Sequence, residues 1–110
     1  MKPKFIKFDK KRPVFFGFAA MAVFEEETGT QFSKIAETLQ DMTIKNTIAF
    51  VYAGLVGGAK KIKEDIDFDI DDVADWLDGV TDLEKVFQTF IEAMPMMDNT
   101  DKATKGSKKV

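Results

Sequence analysis

The chain has 110 residues, 45% hydrophobic and 32% charged, which suits one globular domain with an ordinary core; the longest fully apolar run in its third helical segment, Ile48 to Val56, is too short to cross a bilayer. It contains neither Cys nor His, which removes disulfides, thiolate metal sites, thiol nucleophiles and the commonest general base. The net charge of −3 is unevenly spread, with +5 on residues 1–13, −10 on residues 14–97 and +2 on residues 98–110, and an acidic body of this kind repels a phosphate backbone.

Lys4-Phe5-Ile6-Lys7-Phe8 and Val14-Phe15-Phe16 flank a charged turn, Asp9 to Arg12, and predict a β-hairpin. Pro13 lacks an N–H and belongs at a strand start or edge. Gly17 opens a first helix whose Phe18–Phe24 stretch is apolar on every side, the pattern of a helix buried at the centre of a small domain. Glu25-Glu26-Glu27 return it to the surface, and Gly29 supplies a left-handed exit. Thr30 is placed to cap a second helix, with Phe32, Ile35, Ala36 and Leu39 on one face.

A third helix starts between Asp41 and Thr43. Ile44, Ile48, Val51 and Leu55 form its stripe, Phe50 and Tyr52 widen it until it must be nearly surrounded by protein, and Gly57-Gly58 ends it. Lys60, Lys61 and Lys63 make a basic linker. Asp69 caps a fourth helix, with Asp71 and Asp72 in the first turn, where the helix dipole favours anions. Its inward face is Ile70, Val73, Ala74 and Leu77, with Trp76 beside it, and Gly79 closes it. Thr81 and Glu84 match a capping box for a fifth helix, in which Leu83, Val86, Phe87, Phe90, Ile91 and Met94 keep helical spacing until Pro95. Residues 98–110 are polar and Lys-rich and predict a disordered tail. The expected fold class is therefore α+β and predominantly α. A short N-terminal β-hairpin and about five helices form one domain over residues 1–97, followed by a flexible tail over 98–110.

Little in this chain nominates a reaction. Ser33 and Ser107 have no His to activate them, so no catalytic residue and no cofactor is expected. Counting from Asp67, acids fall at loop positions 1, 3, 5, 9 and 12 of an EF-hand, but Asp72 stands where the sharp turn requires Gly and Asp78 where a bidentate Glu is needed. The acidic run reads instead as a capped helix with a solvated face, and no metal is expected. The basic N-terminus (Lys2, Lys4, Lys7, Lys10, Lys11, Arg12) interleaves with Phe5, Ile6 and Phe8. This suits an edge hairpin guarded by Lys better than a nucleic-acid platform, since no second basic surface accompanies it. Charges interrupt Met1 to Arg12, so no signal peptide is expected and the chain reads as cytoplasmic. Met94, Met96 and Met97 cluster at the end of the fifth helix, and clustered Met suits surfaces that accept varied apolar partners. With Phe87, Phe90 and Ile91 they are the candidate partner-binding residues.

The order of elements resembles a known family. The hairpin runs into Phe16-Gly17-Phe18. The first helix ends in Phe24-Glu25-Glu26-Glu27-Thr28-Gly29, and the third carries Phe50-Val51-Tyr52-Ala53-Gly54-Leu55. An acidic stretch leads into Ile70-Asp71-Asp72-Val73-Ala74-Asp75-Trp76-Leu77 and a last amphipathic helix. Over residues 4–95 this is similar to the tail assembly chaperones of long-tailed phages and prophages and to the related gene-transfer-agent family. The resemblance implies a non-catalytic protein of the host cytoplasm that binds the tape measure protein and keeps it soluble until tail tube subunits polymerise around it. Such a protein leaves before the virion is complete, and a longer frameshifted product is often made. The resemblance is compatible with contact to the major tail tube protein and with a homo-oligomer, and implies no nucleic-acid or membrane partner. The other reading of the same helical build is a small regulatory or accessory protein-interaction domain of phage or bacterial origin.

Overall fold

The computed structural model describes residues 2–95. Strand β1 (Lys4–Lys7) pairs antiparallel with β2 (Lys11–Val14), so that Lys4 faces Val14, Phe5 faces Pro13, Ile6 faces Arg12 and Lys7 faces Lys11. The second strand therefore begins earlier than its apolar run suggested. It takes in Lys11 and Arg12, which charge alone placed in the turn, and leaves Phe15 and Phe16 beyond its end. The loop is only a few residues long: the Phe8 N–H donates to the Lys10 carbonyl at 3.1 Å, around Asp9. That bond sets the alternation. Pro13 falls at a position whose missing N–H would have pointed away from β1, where no ladder bond is lost.

Five α-helices follow: α1 (Phe18–Thr28), α2 (Ile35–Gln40), α3 (Ile44–Lys61), α4 (Ile70–Asp78) and α5 (Leu83–Glu92). The hairpin, the five helices and their single shared core match the expected architecture, while the predicted tail lies outside the described residues. The capping details differ in two places. Thr30 does not cap the second helix, which is entered through a 3-10 turn at Phe32–Lys34; the Thr30 N–H is instead taken by the Thr28 hydroxyl, which also bonds back to the Phe24 carbonyl. The α5 cap is Asp82, whose carboxylate accepts from the Lys85 N–H at 3.1 Å, and not Thr81. At α4 the expectation holds. Asp69 caps the helix, and Asp72 returns a bond to the Asp69 N–H, a reciprocal pair that satisfies two otherwise orphaned donors.

Helix α3 is the axis of the fold. Its centre, from Ala49 to Ala59, is almost wholly buried, and Phe50 is the hub of an aromatic cluster. The Phe50 ring centroid lies 4.9 Å from Phe16, 6.0 Å from Phe24, 5.8 Å from Phe90 and 5.9 Å from Phe87. Such pairs contribute roughly 0.5–1.5 kcal/mol each beyond the area they bury. Gly57-Gly58 does not end the helix. The chain runs on to Lys61 and leaves only where Lys63 adopts a left-handed backbone, with the Glu64 N–H closing on the Ala59 carbonyl at 2.8 Å. The glycines serve another purpose. A Cβ at Gly57 would overlap the Phe15 carbonyl oxygen, one at Gly58 the Pro13 carbonyl, and one at Gly54 the Phe90 ring. Their i, i+3, i+4 spacing lines one face of α3. Onto that face the backbone of residues 13–16 is laid, with the Phe15 N–H donating to the Gly54 carbonyl at 3.1 Å.

Helix α1 is not surrounded. Only Ala20, Met21 and Phe24 are buried, while Phe18 stands 77% exposed. Small alanines at positions 19 and 22 make the segment read as apolar on all sides, yet they ask little of their surroundings, and both are exposed.

Candidate functional site

Several of the charged groups singled out in the sequence have structural duties. Arg12 is the buried exception among the cations of the described residues, its side chain 5% exposed. Its guanidinium grips Asp9 with two bonds, Nε to Oδ1 at 2.6 Å and Nη2 to Oδ2 at 2.7 Å, and reaches Asp67 through Nη1 at 2.9 Å. It also lies 4.6 Å from the Trp76 ring centroid and 4.9 Å from that of Phe68, while Phe8 stacks on Trp76 at 5.7 Å. Hydrogen bonding to Arg12 holds both carboxyls below the ordinary value near 3.8, and Asp9 in turn raises the Arg12 pKa further. An aromatic box of this kind would suit a cationic ligand, but the chain's own arginine fills it. The box is a clamp that ties the hairpin to the α3–α4 connection.

The acidic run is likewise committed in part. Asp67 is held by Arg12 and by Lys10, whose Nζ is 3.3 Å away, and Asp69 and Asp72 cap α4. Among the described residues no group of three His, Cys, Asp or Glu side chains is arranged to hold a metal. On the basic N-terminus, Lys10 and Arg12 are engaged by acids, and Lys11 lies 5.2 Å over the Phe5 ring. Among the described residues, no helix is long and apolar enough to cross a membrane.

The candidate contact residues at the end of α5 do not form one surface. Phe90 and Met94 are closed off in the core, at 0% and 2% exposure. Phe87 is half-buried against Phe50, Ile91 is exposed, and Met96 and Met97 lie outside the described residues. Helical spacing placed Phe90 and Met94 on the apolar face of α5 correctly, but that face is spent on Phe50, Gly54 and the hairpin.

Open apolar surface lies at the other end of the same helices. Ile44, Thr47 and Ile48 on α3, Ala74, Leu77 and Asp78 on α4, and Leu83 on α5 line a groove of about 230 Å³. Ile44 is 81% exposed and Leu83 45%. Each is the first residue of its helix, directly after a capping side chain, Thr43 or Asp82, that accepts from an N–H three residues on. Both aliphatic side chains thus overhang a well-capped helix start. Helical spacing places Ile44 and Leu83 in the apolar stripes of their helices without showing that both stand uncovered. The available signal was position: a stripe that runs to the very first turn has no preceding turn to cover it. A larger cleft of about 620 Å³ separates β1 from the α4–α5 corner, with Phe5, Phe8, Trp76 and Val86 among its walls. Its charges are of both signs (Lys7, Lys85, Asp75, Asp82), and it selects no ligand class. No family model, no curated protein and no solved structure matches this chain.

Proposed function

We propose that this protein is a non-catalytic binder of another polypeptide, and specifically a tail assembly chaperone that keeps the tape measure protein soluble in the host cytoplasm during tail morphogenesis. The observation that carries the reading is the Ile44–Leu83 groove, an aliphatic opening on an otherwise acidic helical body. An apolar surface left uncovered beside charged residues is the form that protein-contact sites take. The acidic exterior favours solubility and opposes self-association while that surface stays open. The resemblance to the chaperone family supplies the client, and the hairpin followed by five helices agrees with the element order on which the resemblance rests. The absence of His and Cys supports a role without turnover.

Co-expression with a tape measure fragment tests the proposal. The client is expected to stay soluble and co-purify with the chain, and to be lost when Ile44→Asp and Leu83→Asp are combined while far-UV circular dichroism is unchanged. A client that precipitates equally with and without the chain would refute the chaperone role. Phe90 and Met94 are unsuitable for this test, because polar substitution there would unfold the core.

A further inference from the structure

The groove also specifies what its occupant must look like. Its two long walls are helix faces, Ile44, Thr47 and Ile48 opposite Ala74, Leu77 and Asp78, each with i, i+3, i+4 spacing. Helix walls of this kind leave only the few main-chain groups of the α3 start and the α4 end unpaired, with no continuous edge, so an extended strand finds no ladder to join. Side chains spaced along a third helix fit between such ridges. At about 230 Å³ the groove falls below the roughly 300–1,000 Å³ of ordinary small-molecule sites, and accepts a few aliphatic side chains.

Charge narrows the choice. Asp78 lines the groove itself, and Asp71 and Asp75 continue its row along the outer side of α4 at i, i+4, i+7, where Asp75, like Asp82, also borders the larger cleft. Asp82 and Glu84 bracket Leu83, and all five carboxylates are exposed, against Lys45 and Lys85 among the nearby cations. Resting on the reading of the chain as a polypeptide binder, we infer that the groove takes an amphipathic α-helix bearing Lys or Arg beside its aliphatic stripe. The aliphatic side chains enter between α3 and α4, and the cations meet the carboxylate row of α4. A helix with acids in those places is repelled.

The test titrates the full chain with three labelled synthetic peptides: a Leu-striped helix flanked by Lys, the same stripe flanked by Glu, and the Lys form interrupted by Pro. The Lys-flanked helix is expected to bind at least about tenfold more tightly than either of the others, with an advantage that shrinks as salt rises. Ile44→Asp should abolish its binding. Asp75→Lys with Asp78→Lys should transfer the preference to the Glu-flanked peptide. Both replacements lie in the last turns of α4, where the helix dipole favours cations, so the fold tolerates them. Equal binding of the Lys and Glu peptides, indifference to Ile44→Asp, or preference for the Pro-interrupted form would overturn the inference. If the Lys-flanked helix fails while a tape measure fragment still co-purifies, the groove assignment alone is wrong; failure of both removes the binding role as well.

Discussion

The two ends of α3 handle apolar surface in opposite ways. Toward its C-terminus, Gly54, Gly57 and Gly58 strip one face of side chains, and the backbone of residues 13–16 presses directly onto it. At its N-terminus, Ile44 and Ile48 project into a groove that the described residues leave open, and Ile44 is 81% exposed. The contrast separates a face whose partner is already built into the chain from one that, under the proposed function, receives its partner from elsewhere. Close backbone approach needs absent side chains, whereas recognition of another molecule needs large ones left standing.

The strongest way to break this comparison is Gly58→Ala. In an exposed helix that change would gain about 1 kcal/mol. Here the new Cβ meets main-chain atoms of Pro13 and Val14, which cannot swing aside, and the expected result is a loss of about 3 kcal/mol or more, read as a fall in the urea midpoint. A neutral result would mean the closed face is looser than its geometry.

Next in size is Arg12→Met, which keeps the bulk of the clamp and removes its charge. Asp9 and Asp67 remain about half exposed and can rehydrate, so the expected loss is about 2 kcal/mol, less than for a fully buried pair. The acid side sharpens this. Both carboxyls have lowered pKa values in the folded state, with the hydrogen bond from Arg12 as the main cause. Their contribution is therefore present above the ordinary carboxylate value and lost as pH falls through the lowered folded-state values. Urea midpoints of the wild type should drop across that acidic window, and those of Arg12→Met should drop less.

Gly29→Ala tests a glycine kept for a different reason. No atom lies within 4 Å of the added Cβ, but the backbone stands at φ 73°. The expected cost is about 1 kcal/mol, purely conformational, and Gly29→Asn should recover part of it. Smallest of all is Ile44→Asp. An acid in the first helical turn suits the dipole, and stability should stay within about 0.5 kcal/mol in thermal melts while helix binding disappears. A large stability loss there would mean that the open end of α3 is structural after all.

Much of the fold was legible because local chemistry dictates it. Asp69 and Gly29 announce helix ends through hydrogen bonding and left-handed backbone, both properties of a few neighbouring residues. What escaped depends on contacts distant in sequence. Gly57-Gly58 looks like a helix stop by propensity, since nothing nearby reveals that residues 13–15 lie across it. Arg12 looks like a turn residue until Asp67, 55 positions away, and the ring of Trp76 are brought to it. The burial of Phe90 and Met94 escaped for the same reason. Spacing identifies the apolar face of α5 but cannot say that Phe50 and Gly54 already occupy it, and it cannot distinguish the covered middle of an α3 stripe from its uncovered first turn.

The main-chain bond from the Phe16 N–H to the Ala93 carbonyl, 2.9 Å long, joins the hairpin exit to the end of the last helix. During synthesis α1 and α3 therefore emerge in time to cover Phe16 with the Phe24 and Phe50 rings, while the Phe16 N–H waits for its acceptor until the last helix has left the ribosome. A ribosome stalled before α5 would release a chain whose Phe50 and Gly54 lack the Phe90 ring, and which is itself in need of protection.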